Sequence, residues 1–294
     1  MRIKLGTGRN SLAKAQADAS IIMLREDHPL AELELYFVSA GSVSNGSPLI
    51  PDIHFKGMYV PELQQALLDG EIDIAVHGVK DLPNGIAPGT VIAAILPRSD
   101  PRDALVTSDQ RDLPQLMPGA TIGVDTVCRR VQLKALRSDL KIVEIYGGTE
   151  ERLKKLQTGE CDGVIVAVSA LVRLNMLHRA AQMFKITDIV PSAGQGAIAL
   201  QVRDDDPIAY TLASAISHEP SRLAVLAECS FLEATSAESN LPVGSYAKVN
   251  EDELSLVGIV ATLDGKSFHR NSLVGDPANA IELGHRLADM LLAA

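Results

Sequence analysis

DIAVHGVKDLP, the stretch from Asp73 to Pro83, decides the fold class of this 294-residue chain. A compact apolar run is followed directly by polar side chains, a pattern typical of a buried strand that ends in a turn. Open α/β sheets bind ligands at the carboxyl ends of their strands, where we expect His77, Lys80 and Asp81. An acid beside a lysine there can move protons or hold a cation. The alternative is an exposed loop ion pair of little energetic weight.

Strand-like and helix-like segments alternate on both sides of this stretch. A strand is predicted over residues 3–6, and an amphipathic helix follows it. The apolar face predicted for that helix consists of Leu12, Ala15, Ala19 and Ile22. A second helix is predicted near Val60, where Pro61 suits the first turn. Because parallel strands require helical crossovers, this alternation predicts α/β layers.

The pattern changes twice along the chain. Residues 97–101 are polar and proline-rich, which predicts a hinge before a second α/β series. After a long helical pattern near residues 220–233, short strands suggest a meander with a hairpin turn at Asp264-Gly265 and a closing helix. We therefore predict two α/β lobes and a small α+β domain. The predicted domains are residues 1–98 with 195–217, residues 99–194, and residues 218–294.

Composition and charge exclude several classes of protein. The formal net charge is −10, aromatic residues make up 3% and Trp is absent, which argues against nucleic-acid binding. The three cysteines are widely spaced and the seven histidines do not cluster, so we predict neither a disulfide framework nor a metal site. No leader-like segment and no run of roughly 18 apolar residues is present, and we expect a cytoplasmic protein without a membrane partner.

Arginines recur at strand-to-helix junctions in the second α/β series. They are Arg129, Arg130, Arg152 and Arg173. A guanidinium group suits a carboxylate because its planar fork can donate two parallel hydrogen bonds. One exposed arginine carries no information, but several that converge from different elements would form an anion pocket.

Taken in order, these segments resemble the hydroxymethylbilane synthase (porphobilinogen deaminase) family. Asp73 to Pro83 is similar to the family's strand and loop with the catalytic aspartate, which maps onto Asp81. Lys56-Gly57-Met58-Tyr59 resembles its active-site loop. Further similar motifs are Asp100 to Ala104, Ala167 to Leu171, Pro191 to Ala197 and Pro242 to Tyr246.

The resemblance implies a fold, a reaction and a set of site residues. The two lobes would be periplasmic-binding-protein-like, and the family condenses four porphobilinogen molecules with loss of ammonia. The product grows on a dipyrromethane primer that a cysteine holds by a thioether. Asp81 would assist ammonia loss together with Lys80. The residues implied to bind substrate carboxylates or amides are Lys56, Arg9, Arg129, Arg152, Arg173 and Gln195.

Several positions depart from the family pattern, and all of them fall in the ligand region. Ser239 occupies the position of the primer-anchoring cysteine, and a serine hydroxyl is a far poorer nucleophile than a thiol. We therefore expect no covalently bound cofactor. The other departures are Gly8, where Arg9 is the nearest substitute for an arginine, Asn10, Asp125, Cys128, Tyr146 and Gly148. Each lost charge-assisted hydrogen bond is worth about 1.5–3 kcal/mol, so affinity for a polycarboxylate should fall.

Two interpretations follow from these departures. In the first, the chain acts on porphobilinogen or a related anionic pyrrole, with a noncovalent or differently anchored primer. Cys128 is then the one alternative thiol near the cofactor region, unless it only fills the space of an arginine. In the second, the chain is a non-catalytic protein that binds a small anion on the same two-lobed fold. We expect a monomer and a small anionic ligand in both cases.

Overall fold

The structure is a computed structural model, and it describes residues 2–39, 59–83, 85–236 and 241–293. Residues before the hinge form β1 (Arg2–Thr7), α1 (Ser11–Asp27), β2 (Glu32–Phe37), α2 (Val60–Leu68), β3 (Ile74–Gly78) and β4 (Thr90–Ile95). The next segment forms β5 (Asp103–Thr107), β6 (Thr121–Val124), α3 (Val127–Leu136), β7 (Lys141–Glu144), α4 (Thr149–Gln157), β8 (Gly163–Ala167), α5 (Val168–Arg173) and β9 (Ala180–Met183). The rest forms β10 (Ile198–Arg203), α6 (Pro207–Ala215), α7 (Glu219–Ser236), β11 (Val243–Asn250), β12 (Glu253–Ala261), β13 (Phe268–Gly275) and α8 (Ala280–Leu292).

Contacts between Cα atoms divide the chain into two compact units. The first unit comprises Met1–Arg98 and Ala197–Arg222, and the second comprises Ser99–Gly196 and Leu223–Ala294. The predicted fold class, two α/β lobes with a small α+β domain, is confirmed. The predicted boundaries of three separate domains stay a prediction.

The first unit is built on one mixed sheet with the strand order β2-β1-β3-β10-β4. β1 pairs in parallel with β2 and β3, whereas β10 enters antiparallel between β3 and β4. Every residue of β3 is buried, as the apolar run from Ile74 predicts. The chain then turns through a short 3-10 helix, Val79–Asp81, which presents the polar side chains at the end of this strand.

The predicted apolar face of α1 is wrong by about one residue. Ile22 is 57% exposed, whereas Ala17, Ile21 and Leu24 are buried in the core of the first unit. Ser20 also lies on the buried face. Burial of this polar residue is tolerated because its hydroxyl donates to the carbonyl of Gln16 at 2.9 Å. The helical period was therefore correct. The buried face was missed because it includes small and polar side chains, which an apolar pattern does not mark.

The second unit contains a mixed sheet and a separate antiparallel sheet. The mixed sheet has the order β7-β6-β8-β5-β9. The meander β11-β12-β13 was predicted, and its Gly265 has a φ of +70° in the hairpin between β12 and β13. Helices α7 and α8 supply apolar side chains to its core, including Phe231 and Leu287. Ile281 on α8 is exposed, whereas Leu287 is buried.

His77 lies inside the first sheet rather than at the predicted ligand edge. Its Nε2 is 3.0 Å from Gln201 Oε1, and the amide of Gln201 donates to Thr90 Oγ1 at 2.6 Å. Gln64 Nε2 lies 3.4 Å from the same Gln201 oxygen. Burial lowers the pKa of His77 from 6.5 to about 4, although the Gln201 contact opposes this shift. The ring is thus a neutral member of a buried hydrogen-bond network.

This lowered pKa makes the stability of the protein depend on pH. Between pH 6.5 and about 4 the unfolded chain binds a proton at His77 that the folded chain does not, so stability is lost as the pH falls through this window. The loss should reach about 3 kcal/mol at the lower end. Urea unfolding at stepped pH should show a flatter dependence for His77→Gln than for the unchanged protein.

The exposed His285 provides a matched control, since His285→Gln removes a histidine from the surface of α8. That variant should keep the pH dependence of the unchanged protein. Identical pH profiles for His77→Gln and the unchanged protein would contradict the assignment of the buried neutral ring.

Candidate functional site

Arg129 is fixed in the first turn of α3 by the local sequence. Thr126 caps the helix, and its hydroxyl accepts the Arg129 backbone N–H at 3.3 Å. The side chain is only 4% exposed and forms a bidentate pair with Asp103, from Nε at 3.0 Å and from Nη2 at 2.5 Å. Asp103 is the first residue of β5 and is buried. A buried guanidinium is therefore held by a buried carboxylate.

Asp125 joins Arg129 to Arg152. One of its carboxylate oxygens accepts a short hydrogen bond from Arg129 Nη1, and the other lies 2.7 Å from Arg152 Nη1. Arg152, on α4, is 7% exposed, whereas Asp125, directly after β6, is 23% exposed. Within the part of the chain that the structure describes, Arg152 Nε is buried without a hydrogen-bond partner.

Gln195 completes this group, which we call the arginine cluster: Asp103, Asp125, Arg129, Arg152 and Gln195. The buried amide of Gln195 donates to Asp103 Oδ1 at 2.7 Å and to the carbonyl of Pro101 at 2.8 Å. Its oxygen accepts from Arg129 Nη2 at 3.1 Å. The structure thus brings together three of the predicted site residues, Arg129, Arg152 and Gln195, with Asp125.

The arginine cluster contains two cations and two carboxylates. Burial by itself lowers the pKa of Arg129, but Asp103 and Asp125 outweigh it and the net shift is upward. The pKa of Arg152 is lowered, because burial and the neighbouring Arg129 outweigh the attraction of Asp125. Both guanidinium groups remain protonated at neutral pH, since the ordinary arginine pKa is above 12. The formal charges therefore balance.

The loop that carries Gln195 is held from two further sides. Arg173, the last residue of α5, donates from Nη2 to the carbonyl of Gly196 at 2.8 Å. Gly196 has a φ of +89°, and a Cβ there would lie 2.5 Å from the carbonyl oxygen of Ser99. Only glycine fits both conditions, and this fixes the path of the chain around Gln195.

Glu228 on α7 holds the other end of this loop, and sequence reasoning missed it. Its carboxylate accepts from the backbone N–H of Gly194 at 2.7 Å and from that of Ala247 at 2.6 Å. The residue is fully buried. A signal was available, because Glu228 lies between the core residues Ala227 and Phe231 on the apolar face of the helix.

The two acceptor roles of Glu228 make a test possible. Glu228→Gln keeps the size of the side chain but turns one acceptor into an amide that faces a backbone N–H. We expect the free energy of unfolding to fall by about 1–3 kcal/mol, measured by urea denaturation. Glu233→Gln, on the exposed surface of the same helix, should change it little. Equal effects of the two substitutions would contradict the assignment of Glu228 as the acceptor that holds the backbone of Gly194 and Ala247.

The first unit carries Lys80 and Asp81, both half-buried, in the turn after β3. A Cβ added to Gly78 would lie 2.8 Å from Asp81 Oδ2 and 3.1 Å from Gln16 Nε2. The carboxylate of Asp81 therefore covers the bare backbone of Gly78 beside an amide of α1. This position suits an acid that gains or gives up a proton, because it is partly shielded from water.

Gly8 and Arg9 follow β1 in the same unit. A Cβ at Gly8 would lie 2.6 Å from the ring of Tyr59, so the aromatic side chain occupies the space above this glycine. Arg9 is exposed. Two predicted site residues, Lys56 and Ser239, lie outside the described residues.

Tyr146 is 41% exposed, and its hydroxyl donates to Glu144 Oε2 at 2.9 Å. Within the described ranges, no group of three or more His, Cys, Asp or Glu side chains could hold a metal ion. Across the same ranges, we find no helix with the length and apolar character that crossing a membrane requires.

The three cysteines differ in accessibility. Cys128 is buried against Val190 and Ile259, and burial raises its thiol pKa to about 12 although Gln132 Nε2 lies 3.2 Å from the sulfur. Cys161 is also buried and its pKa is raised, first by burial. Cys229 is exposed on α7. Cys128 therefore has neither the access nor the thiolate character that a primer anchor needs.

Thiol labelling checks this difference. At pH 8 a disulfide reagent should modify one cysteine per folded chain quickly, namely Cys229, because the reaction needs an accessible thiolate. Cys229→Ser should remove this fast phase, and Cys128→Ser should leave it unchanged. A fast phase that is lost with Cys128→Ser would show that this thiol is reactive after all.

Comparison with known proteins identifies the family. The family model described as porphobilinogen deaminase, dipyromethane cofactor binding domain, matches residues 3–211, and the model of the porphobilinogen deaminase C-terminal domain matches residues 222–293. The porphobilinogen deaminase of Thermus thermophilus is 39% identical over 97% of this chain and 94% of its own length. That of Syntrophotalea carbinolica is 37% identical over 99% of this chain and 92% of its own.

Among solved structures, the methionine-binding protein MetQ is similar with a TM-score of 0.47 and 12% identity, covering 73% of this chain and 89% of MetQ. The two family models place the chain among the α/β proteins of tetrapyrrole synthesis. The chain belongs to the porphobilinogen deaminase family.

Proposed function

We propose that this protein acts on porphobilinogen or a related anionic pyrrole, with Asp81 as the proton-transferring group and without a thioether-linked dipyrromethane. The observation that carries the proposal is the position of Asp81 in the turn directly after β3. The chain matches its family there and along almost its whole length. Its half-buried carboxylate covers Gly78 at the carboxyl end of a strand, the edge at which open α/β sheets bind ligands.

The reaction proposed at Asp81 takes up one proton at nitrogen and releases one proton from carbon. Loss of ammonia from an aminomethyl pyrrole breaks a C–N bond, and the departing nitrogen leaves with the electron pair and takes up a proton. The remaining methylene pyrrole carries a positive charge that a nearby carboxylate stabilises. A second pyrrole carbon then attacks this methylene and gives up its proton, for which Asp81 is the proposed acceptor.

Three features support a protein without the usual covalent primer. Cys128 is buried with a raised pKa, and the arginine pair formed by Arg129 and Arg152 already contacts the carboxylate of Asp125. The sequence supplies Ser239 where the family resemblance places the anchoring thiol.

A second candidate function is binding of a small anionic pyrrole or carboxylate without turnover. The balanced charges of the arginine cluster favour it, because a site that holds a long polycarboxylate product needs an excess of cations. Asp81 favours catalysis. A carboxylate in that turn repels an anionic ligand, so its presence is unfavourable for simple binding unless it takes part in a reaction.

Incubation with porphobilinogen separates these possibilities. We expect porphobilinogen to be consumed while the intact mass of the protein stays unchanged. Asp81→Asn should lower the rate about 100-fold, because the amide can neither accept nor release the proton. Asp205→Asn, an exposed position in the same unit, should keep the rate of the unchanged protein.

Other outcomes are equally clear. A mass increase of two pyrrole units with turnover would contradict the absence of a covalent primer. A shift in melting temperature with porphobilinogen and no consumption would establish the binding function. If neither the mass, the rate nor the melting temperature responds, porphobilinogen is excluded both as a substrate and as a ligand.

A further inference from the structure

We propose that Asp125 is an internal carboxylate that occupies the anion position between Arg129 and Arg152, so that it excludes a ligand carboxylate from this pair. Asp125 is then a specificity-determining residue. Its replacement by a small neutral residue should create a carboxylate-binding site that the unchanged protein lacks. The inference deepens the proposed function, but its test with simple carboxylates does not depend on that function.

The geometry of Asp125 is that of a bound carboxylate. Its two oxygens contact different arginines, one from α3 and the other from α4. Each guanidinium is more than nine-tenths buried, whereas Asp125 itself is 23% exposed. The carboxylate therefore closes the open side of a pair of cations whose other sides are covered by protein.

Arg129 and Arg152 differ in how fully they are satisfied. Arg129 has Asp103 and Gln195 as well as Asp125, so it keeps partners without Asp125. Arg152 has Asp125 and a 3.5 Å contact with the carbonyl of Ile165. Its Nε is buried and has no partner among the described residues. Arg152 is thus the cation that has both the unused donor and the greater need for a counter-anion.

Charge balance shows what removal of Asp125 would do. The arginine cluster has two positive and two negative groups, and without Asp125 it has one uncompensated positive charge. A buried charge without a partner is strongly unfavourable, and a carboxylate from solution would relieve it. A carboxylate suits the vacated position because each oxygen would meet one guanidinium.

A purely structural ion pair would behave differently. If Asp125 only supports the fold, its loss would destabilise the protein by the same amount in chloride and in carboxylate salts. If Asp125 occupies an anion site, a carboxylate of suitable size would replace it and restore stability. The two roles therefore differ in the response to an added anion.

The experiment compares Asp125→Ser with the unchanged protein in sodium propionate and in sodium chloride at equal ionic strength. We expect the melting temperature of Asp125→Ser to rise with propionate in a saturable way, with an affinity about tenfold or more above that of the unchanged protein. Asp109→Asn is the matched control, because Asp109 pairs with Arg111 on the surface of the same unit. This control should respond to propionate as the unchanged protein does.

A second variant and a second readout cover loss of folding. Asp125→Ala also vacates the position and should show the same preference for propionate over chloride. If either variant is unfolded in chloride, its refolding yield in propionate becomes the readout. Adding Arg152→Gln to Asp125→Ser should remove the gain, because the receiving cation is then absent.

Equal responses of Asp125→Ser and the unchanged protein to propionate would overturn the inference, as would tight binding to the unchanged protein at this pair. Failure of propionate to improve folding of both variants would do the same. Porphobilinogen consumption is measured in parallel. A gain in propionate affinity without any pyrrole turnover would support the role of Asp125 while refuting the proposed enzyme activity.

Discussion

The buried ion pair between Arg129 and Asp103 is the interaction on which the candidate site of the second unit depends. It joins the first turn of α3 to the start of β5 through two parallel hydrogen bonds. Removing one partner of a buried pair leaves an uncompensated charge, at a typical cost of about 3–5 kcal/mol. Gln195 satisfies both partners at once, since its amide binds Asp103 and its oxygen accepts from Arg129. The residue types at these positions are therefore constrained by folding.

The same constraint extends along the loop that carries Gln195. Glu228 binds the backbone of Gly194, and Arg173 binds the carbonyl of Gly196. Two charged side chains from different helices thus hold the residues on either side of Gln195. A helix outside the mixed sheet thereby fixes the orientation of a side chain within the arginine cluster, so the position of Gln195 depends on contacts that are distant in sequence.

Sequence patterns predicted the elements well and the contacts poorly. The apolar run at Ile74, the meander and the long helix near Glu228 follow from local periodicity, which the neighbours of each residue determine. His77 was misplaced because its partner, Gln201, is 124 residues away and lies on a strand that pairs only in the folded protein. The spacing of Asp125 and Arg129 is i,i+4, which on its own indicates an ion pair. Nothing local indicates that Arg152 contacts the same carboxylate.

The arginines also show why a residue type is an incomplete guide to function. Arg129, Arg152 and Arg173 were predicted as ligand-binding cations from their positions at strand-to-helix junctions. In the structure, acids of the chain itself neutralise the first two, and the third contacts a backbone carbonyl. An arginine attracts a ligand in proportion to the charge that its surroundings leave uncompensated, rather than by its presence alone. One carboxylate, Asp125, changes the balance of the arginine cluster by a full unit of charge, which alters the electrostatics of the cluster more than a neutral substitution around it would.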